Sequence, residues 1–286
     1  MVKVVGLVAE YNPYHNGHQY MINACRKQGA THIVAVMSGN FVQRGSVAIM
    51  DKRARARAAL LDGVDLVIEL PVPWAVSTAE LFARGGVSAL LGLGCVDTLA
   101  FGCETADKDL LIKAADAVCD IKVHELIKDK LTGGVTYASA REAAVLELYG
   151  EEIANVIRMP NNILAVEYIK AMRSLGGNFD IMPIERIGAD HDSLKENGDS
   201  RSASALRIML ERGDETAFNF MPQSSVDEFK RLQKVGRAPV TIDDSERAIL
   251  SRLRMLSVED IKEAPDVSEG LENRIYNAIM SATSLE

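Results

Sequence analysis

The stretch Val4-Val5-Gly6-Leu7-Val8-Ala9-Glu10-Tyr11-Asn12-Pro13-Tyr14-His15-Asn16-Gly17-His18 decides how the rest of the chain is read. Residues 4–9 are a continuous apolar run rich in β-branched side chains, the pattern of a strand covered on both faces. The turn formers Asn12 and Pro13 end it, and residues 17–27 carry a helical pattern. Working outward, residues 31–37 read as a second strand through Ile33, Val34 and Val36. Met50, Ala54, Ala58 and Leu61 lie on one face of a helix. Residues 64–68 and 98–101 read as further strands, and 179–183 as the last of the sheet. Strands alternating with helices imply a parallel sheet covered on both sides, so the expected class is α/β, Rossmann-like.

Between residues 107 and 158 the pattern is helical without clear strands, an expected insertion. A Gly- and Asp-rich loop at 188–201 leads to a helix over 203–212, and helical patterns recur at 244–256 and 270–281. Residues 1–220 are therefore expected to form the catalytic domain and 221–286 a helical region beginning a longer C-terminal domain. The closing Ala282-Thr283-Ser284-Leu285-Glu286 has the character of another capped helix start, and a longer chain is expected.

The 286 residues are 48% hydrophobic and 25% charged, the balance of an ordinary globular protein. No run approaches the about 20 apolar residues that span a bilayer, and the N-terminus lacks a signal-peptide pattern. A cytoplasmic protein with no membrane partner is expected. Cys25, Cys95, Cys103 and Cys119 form no Cys-x-x-Cys pair, which argues against a structural zinc site. A net charge of −8 argues against indiscriminate nucleic-acid binding but permits a specific RNA partner.

The chemistry concentrates at His15-Asn16-Gly17-His18, where a strand turns into a helix. Helix N-termini favour phosphate through free N–H groups and the dipole. Two imidazoles three residues apart can meet one phosphate chain there, and Gly17 lets a nucleotide approach the backbone. The tetrapeptide is either a chance turn or, given its place after the first strand, a phosphate site, in which case the reaction expected is attack on the α-phosphate of ATP, with His15 and His18 stabilising charge as pyrophosphate leaves. His32, at a strand start, reads as structural. Ser38, Gly39, Asn40 and Arg44 belong to a loop after the second strand, the place where α/β sheets bind ligands. It reads as an anion contact or a solvated loop. Arg53 and Arg57 share a helix face that is either solvated or a phosphate or RNA contact. Gly102 ends a strand with room for adenine or ribose; Asn161 and Asn162 start a helix, where at least one is expected to cap it. Ser202-Ala203-Ser204-Ala205-Leu206-Arg207 offers hydroxyls, N–H groups and an arginine for the outer phosphates.

The HNGH and SASALR segments resemble the two nucleotide-gripping motifs of the nucleotidylyltransferase superfamily. The phrases VAEYNPYHNGH, SGNFVQRG, GVDLVIELP, FGCE, PNNILAVEYIKAM and RIGADHD, in that order, are similar to the tRNA(Met) cytidine acetate ligase family. The likeness runs from residue 2 to at least 207. It implies activation of acetate by ATP to acetyl-adenylate, then acetyl transfer to N4 of the wobble cytidine of elongator tRNA(Met). It also implies ATP contacts from Leu7, Val8, Ala9, Glu10, Tyr11, Asn12, Pro13, Tyr14, His15, Asn16, Gly17, His18, Gln19 and Tyr20. Gly102, Asn162, Arg186 and Ser204 are further expected ATP contacts, with Arg207 beside them. Mg2+ is expected to bridge the phosphates, with no protein ligand identified. The chain departs from the family pattern at Arg53, where a tryptophan is usual, and at the GADHD loop. Two other readings stand: a small-molecule nucleotidyltransferase or other acid-adenylating ligase on the same fold, and a nucleotide-binding regulatory protein without turnover. Oligomeric state and acyl specificity stay open.

Overall fold

The computed structural model describes residues 2–186, 201–265 and 267–285, and of Arg44 the backbone alone. The elements run β1 (Val4–Ala9), α1 (Asn16–Lys27), β2 (His32–Ser38), α2 (Lys52–Leu61), β3 (Leu66–Leu70), α3 (Val72–Ala75), α4 (Ala79–Gly92) and β4 (Thr98–Cys103). Five helices follow: α5 (Lys108–Cys119), α6 (Ile121–Leu131), α7 (Tyr137–Tyr149), α8 (Glu151–Arg158) and α9 (Pro160–Ser174), before β5 (Asp180–Glu185). The described chain continues with α10 (Ala203–Glu211), α11 (Gln223–Gln233), α12 (Asp243–Leu253), α13 (Val258–Lys262) and α14 (Leu271–Ser281). The GADHD loop lies outside the described residues.

The five strands form one parallel sheet in the order β3-β2-β1-β4-β5. The expected α/β, Rossmann-like class is the observed one. The third strand starts two residues later than its hydropathy suggests. Val64 N–H is still bonded to Ala59 O at the end of α2, and the Asp65 carboxylate accepts the Ile33 N–H at 2.7 Å. Strand order reverses between β1 and β4, and such a reversal opens a crevice at the carboxyl ends of the strands. Val5 pairs with Thr98 and Gly6 with Leu99, so continuing that register brings Ala9 level with Gly102.

Successive β1 residues serve opposite faces. Val5, Leu7 and Ala9 pack with α1 in one apolar cluster, together with Ala100 and Ile184. Val8 packs on the other face with α4 and α9, beside Phe82, Phe101, Val166 and Tyr168. A Cβ on Gly86 of α4 would come within 2.6 Å of Val8 Cγ2, so only glycine lets α4 approach so closely. The helices α5–α8 extend this second cluster through Leu111, Val123, Val145 and Ile157, as a helical stretch between β4 and α9.

A third cluster joins Met50 and Ala54 at α2 to Leu206 and Leu210 of α10 and Val226, Phe229 and Leu232 of α11. Residues 221–239 thus pack with the sheet-bearing unit, which runs to Pro239, whereas the sequence boundary was expected at 220. The second compact unit spans Val240–Glu286 and contains α12, α13 and α14. Within it Leu250, Ile261 and Ile279 are buried, and Ser257 and Asp260 form a capping box on α13. Among the described residues no helix is long and apolar enough to cross a membrane.

Candidate active site

The carboxyl ends of β1 and β4 open into a cavity of about 640 Å³. Its first wall is the turn from β1 into α1. Tyr11 takes a left-handed backbone conformation (φ 49°) there, which costs a non-glycine residue about 1–3 kcal/mol and persists only where surroundings enforce it. The enforcement is visible in Asn12, whose Oδ1 accepts the Ile49 N–H at 2.8 Å and whose carbonyl accepts the Arg207 Nη1 at 2.8 Å.

His15 is the N-cap of α1. Its Nδ1 accepts the Gly17 N–H at 3.0 Å, while His18 Nδ1 accepts the His15 N–H at 3.2 Å. The pair is a capping box built from imidazoles. Backbone N–H groups can only donate, so both Nδ1 atoms are unprotonated and each neutral ring carries its proton on Nε2. The ring centroids lie 3.9 Å apart. Tyr11 meets the His18 ring edge-on at 5.0 Å, and Tyr14 stacks on it at 5.7 Å. A Cβ on residue 17 would sit 2.8 Å from His15 Cε1, so the glycine is required by the histidine ring itself. Burial pushes the His15 imidazole down to about 3, with Arg186 and Arg207 adding repulsion. His18 is driven well below its ordinary value by burial first, then by His15 and Arg186. Both therefore stand neutral at pH 7, as Nε2–H donors in a field made positive by arginines and the α1 N-terminus.

Of the residues expected to contact nucleotide, Leu7 to Asn12, His15 to Tyr20, Gly102 and Arg186 line the cavity. Pro13 and Tyr14 are buried behind its wall. Asn162 is completely buried and its side chain is spent on the loop after β4: Oδ1 accepts the Glu104 and Thr105 N–H groups, both at 3.0 Å. The Glu104 carboxylate in turn accepts the N–H groups of Asn161 and Asn162, capping α9. It is Asn161 that lines the cavity, and it receives the Arg186 guanidinium on Oδ1 at 3.3 Å. Ser204 accepts Arg207 Nη2 at 3.0 Å, and neither residue lines the cavity; Ser202 and Ala203, at the N-terminus of α10, do.

In the loop after β2, Ser38, Gly39 and Asn40 do not line the cavity, whereas Gln43 does. Ser38 and Gly39 give their carbonyls to Arg55, and Asn40 Oδ1 accepts the Lys52 N–H at 3.0 Å. The Arg44 side chain is outside the described set. Arg53 is exposed on α2, and Arg57 pairs with Glu228 of α11 at 3.1 Å. The arginine between them, Arg55, is completely buried and donates to carbonyls of Glu10, Ser38, Gly39 and Met50. It joins the carboxyl ends of β1 and β2, a role sequence reading passed over. Sequence reading also passed over Gln43, whose N–H meets Glu10 Oε1 at 2.8 Å, and Arg201, which faces the cavity and packs on Phe220. Neither sits in a spacing that marks it. Phe82, Phe101, Leu164 and Tyr168, all helical or strand-borne, line it as well. Among the described residues no group of three or more His, Cys, Asp or Glu is arranged to hold a metal ion.

Comparisons with known proteins extend the picture beyond the cavity. A family model described as HIGH Nucleotidyl Transferase matches residues 2–286. The tRNA(Met) cytidine acetate ligase of Acetivibrio thermocellus is 39% identical over 299 residues, covering 100% of this chain and 71% of the relative. That of Caldanaerobacter subterraneus is 40% identical over 290 residues, covering 100% and 72%. The crystal structure of Thermotoga maritima TmcAL in its apo form superposes with a TM-score of 0.91 at 33% identity, over 99% of this chain and 69% of that one. The form bound with alpha-thio ATP gives 0.89 at 33% identity, over 99% and 68%. Identity of this extent, carried through the whole described fold, means that the chain belongs to the tRNA(Met) cytidine acetate ligase family of HIGH nucleotidyl transferases.

Proposed function

We propose that the chain is an ATP-dependent ligase that converts acetate to acetyl-adenylate and passes the acetyl group to N4 of the wobble cytidine of elongator tRNA(Met). The observation that carries this reading is the paired Nε2–H donors of His15 and His18 at the α1 N-terminus, in a chain alignable end to end with that family's ligases. In the first step an acetate oxygen attacks the α-phosphorus of ATP, the bond from that phosphorus to the bridging oxygen breaks, and pyrophosphate leaves with both electrons. His15 and His18 donate to phosphate oxygens as charge gathers on the leaving group. A preorganised donor of this kind is worth about 10²–10³ in rate. In the second step the N4 amine attacks the acetyl carbon, the bond to AMP breaks, and the N4 proton is lost to solvent or phosphate.

The residues lining the α1 face are assigned to ATP, with adenine and ribose over Ala9, Gly102 and Ile184 and phosphates toward His15, His18, Arg186 and Arg201. Mg2+, for which the described residues offer no cluster of carboxylates, would have to be held mainly by the phosphates and water. Such an ion would neutralise phosphate charge. Arg53, exposed on α2, is assigned a phosphate contact with the RNA. ATP and tRNA as substrates imply work in the cytoplasm. Incubation with labelled acetate, ATP and elongator tRNA(Met), followed by nucleoside analysis, is expected to yield N4-acetylcytidine. Pyrophosphate exchange driven by a nucleotide monophosphate and not by acetate would overturn the reading.

A further inference from the structure

The cavity has a second lobe on the other side of the β1 strand end, and nucleotide chemistry leaves it unexplained. Its walls are Val8, Phe82, Phe101, Leu164 and Tyr168, all from the α4 and α9 face of the sheet. Phe82, Phe101 and Tyr168 are 2%, 3% and 3% exposed, and the Phe101 and Tyr168 rings lie 6.0 Å apart. Gly86 brings α4 hard against Val8, so this wall cannot retreat. The lobe is mostly hydrocarbon and backed by packed side chains.

We infer that this lobe receives the alkyl group of the acid and limits it to the size of a methyl. The inference rests on the proposed adenylation and names the determinant of its acyl specificity. Two arguments favour the acid over the nucleotide base. First, displacement at phosphorus is in line, so the attacking oxygen enters opposite the leaving pyrophosphate. With pyrophosphate at the α1 N-terminus, on the Ala9 face, the acid approaches from the Val8 face. Second, adenine needs partners for its polar edge, and four of the five walls of the lobe are hydrocarbon.

Leu164 is the wall to change, because it is only half-buried and its truncation is the least damaging to the core. Pyrophosphate exchange is measured on the full chain with acetate, propionate and butyrate, and read as the propionate-to-acetate ratio of kcat/KM. One methylene is worth about 10–200-fold in a hydrophobic pocket. Leu164→Ala is expected to raise the ratio by about 10-fold or more, and Leu164→Phe to lower acetate use without improving propionate. Leu164→Val, smaller by one methylene, gives the same test if the alanine variant does not fold. An unchanged ratio in a folded variant overturns the inference while acetate-driven exchange by the wild type keeps the functional reading. A rise in KM for tRNA alone assigns the lobe to cytosine, and a rise in KM for ATP alone assigns it to adenine; either overturns the inference too. Absence of acid-driven exchange in the wild type removes the functional reading and the inference with it.

Discussion

His15 and His18 hold each other in place: the backbone N–H of His15 donates to His18 Nδ1 at 3.2 Å, and the two rings lie 3.9 Å apart. Each histidine therefore uses one ring nitrogen for the fold and keeps the other for a ligand. The helix start and the proposed phosphate site share these two side chains, so damage to either is expected to be felt by both.

The first prediction concerns pH. The His15 pKa in the folded state is about 3, below the unfolded value near 6.5, so the unfolded chain takes up the proton first as pH falls. The stability this neutral ring permits is complete above about pH 6.5 and is lost as pH drops toward 3, by about 1.4 kcal/mol per pH unit. Urea midpoints are expected to fall more steeply below about pH 6.5 in the wild type than in His15→Gln, which has nothing to protonate there. Parallel curves for the two proteins contradict the assignment.

Gly17→Ala should injure chemistry more than folding. The added Cβ collides with His15 Cε1 at 2.8 Å, so the ring must move while the helix gains propensity. The expected result is a fall in acetate-driven pyrophosphate exchange of about 10-fold or more with a melting temperature within a few degrees of the wild type. Wild-type exchange in this variant refutes the tight fit.

Two arginines only two residues apart, on different faces of α2, should behave oppositely. Arg55→Leu leaves four carbonyls, three of them fully buried, without their donor and is expected to cost about 3 kcal/mol or more, and to drop soluble yield. Arg57→Ala removes only an ion pair whose arginine is exposed, and its effect should stay within about 1 kcal/mol. Chemical denaturation of the two side by side decides; equal losses contradict the distinction.

Asn162→Ala removes the acceptor shared by the Glu104 and Thr105 N–H groups. About 1–3 kcal/mol of stability should go, together with a higher KM for ATP, because the loop follows directly on Gly102. A variant with altered stability and unaltered ATP affinity would falsify the link from this loop to the nucleotide face.

The sheet was legible because its strands are written as continuous apolar runs, and His15 to His18 because the motif follows the first of them. Helix α4 was not, since Gly85 and Gly86 lower helix propensity at its centre; they are there for approach to Trp74 and Val8. Helix α11 carries Val226, Phe229 and Leu232 at helical spacing, yet its polar surroundings obscured the stripe. Asn161 and Asn162 are adjacent and identical in type, and only tertiary contacts separate them: the Glu104 and Thr105 N–H groups hold the Asn162 side chain inward, while the Glu104 carboxylate takes the Asn161 amide beside the cavity. Likewise Arg53, Arg55 and Arg57 look alike in sequence, and burial alone separates the middle one.

Because Val8 and Ala9 look to opposite sides, the strand end is a partition with one tenant on each side. Substitutions made on the two sides should then combine almost additively in transition-state free energy. Such a layout lets selection exchange one guest while the lease of the other runs on.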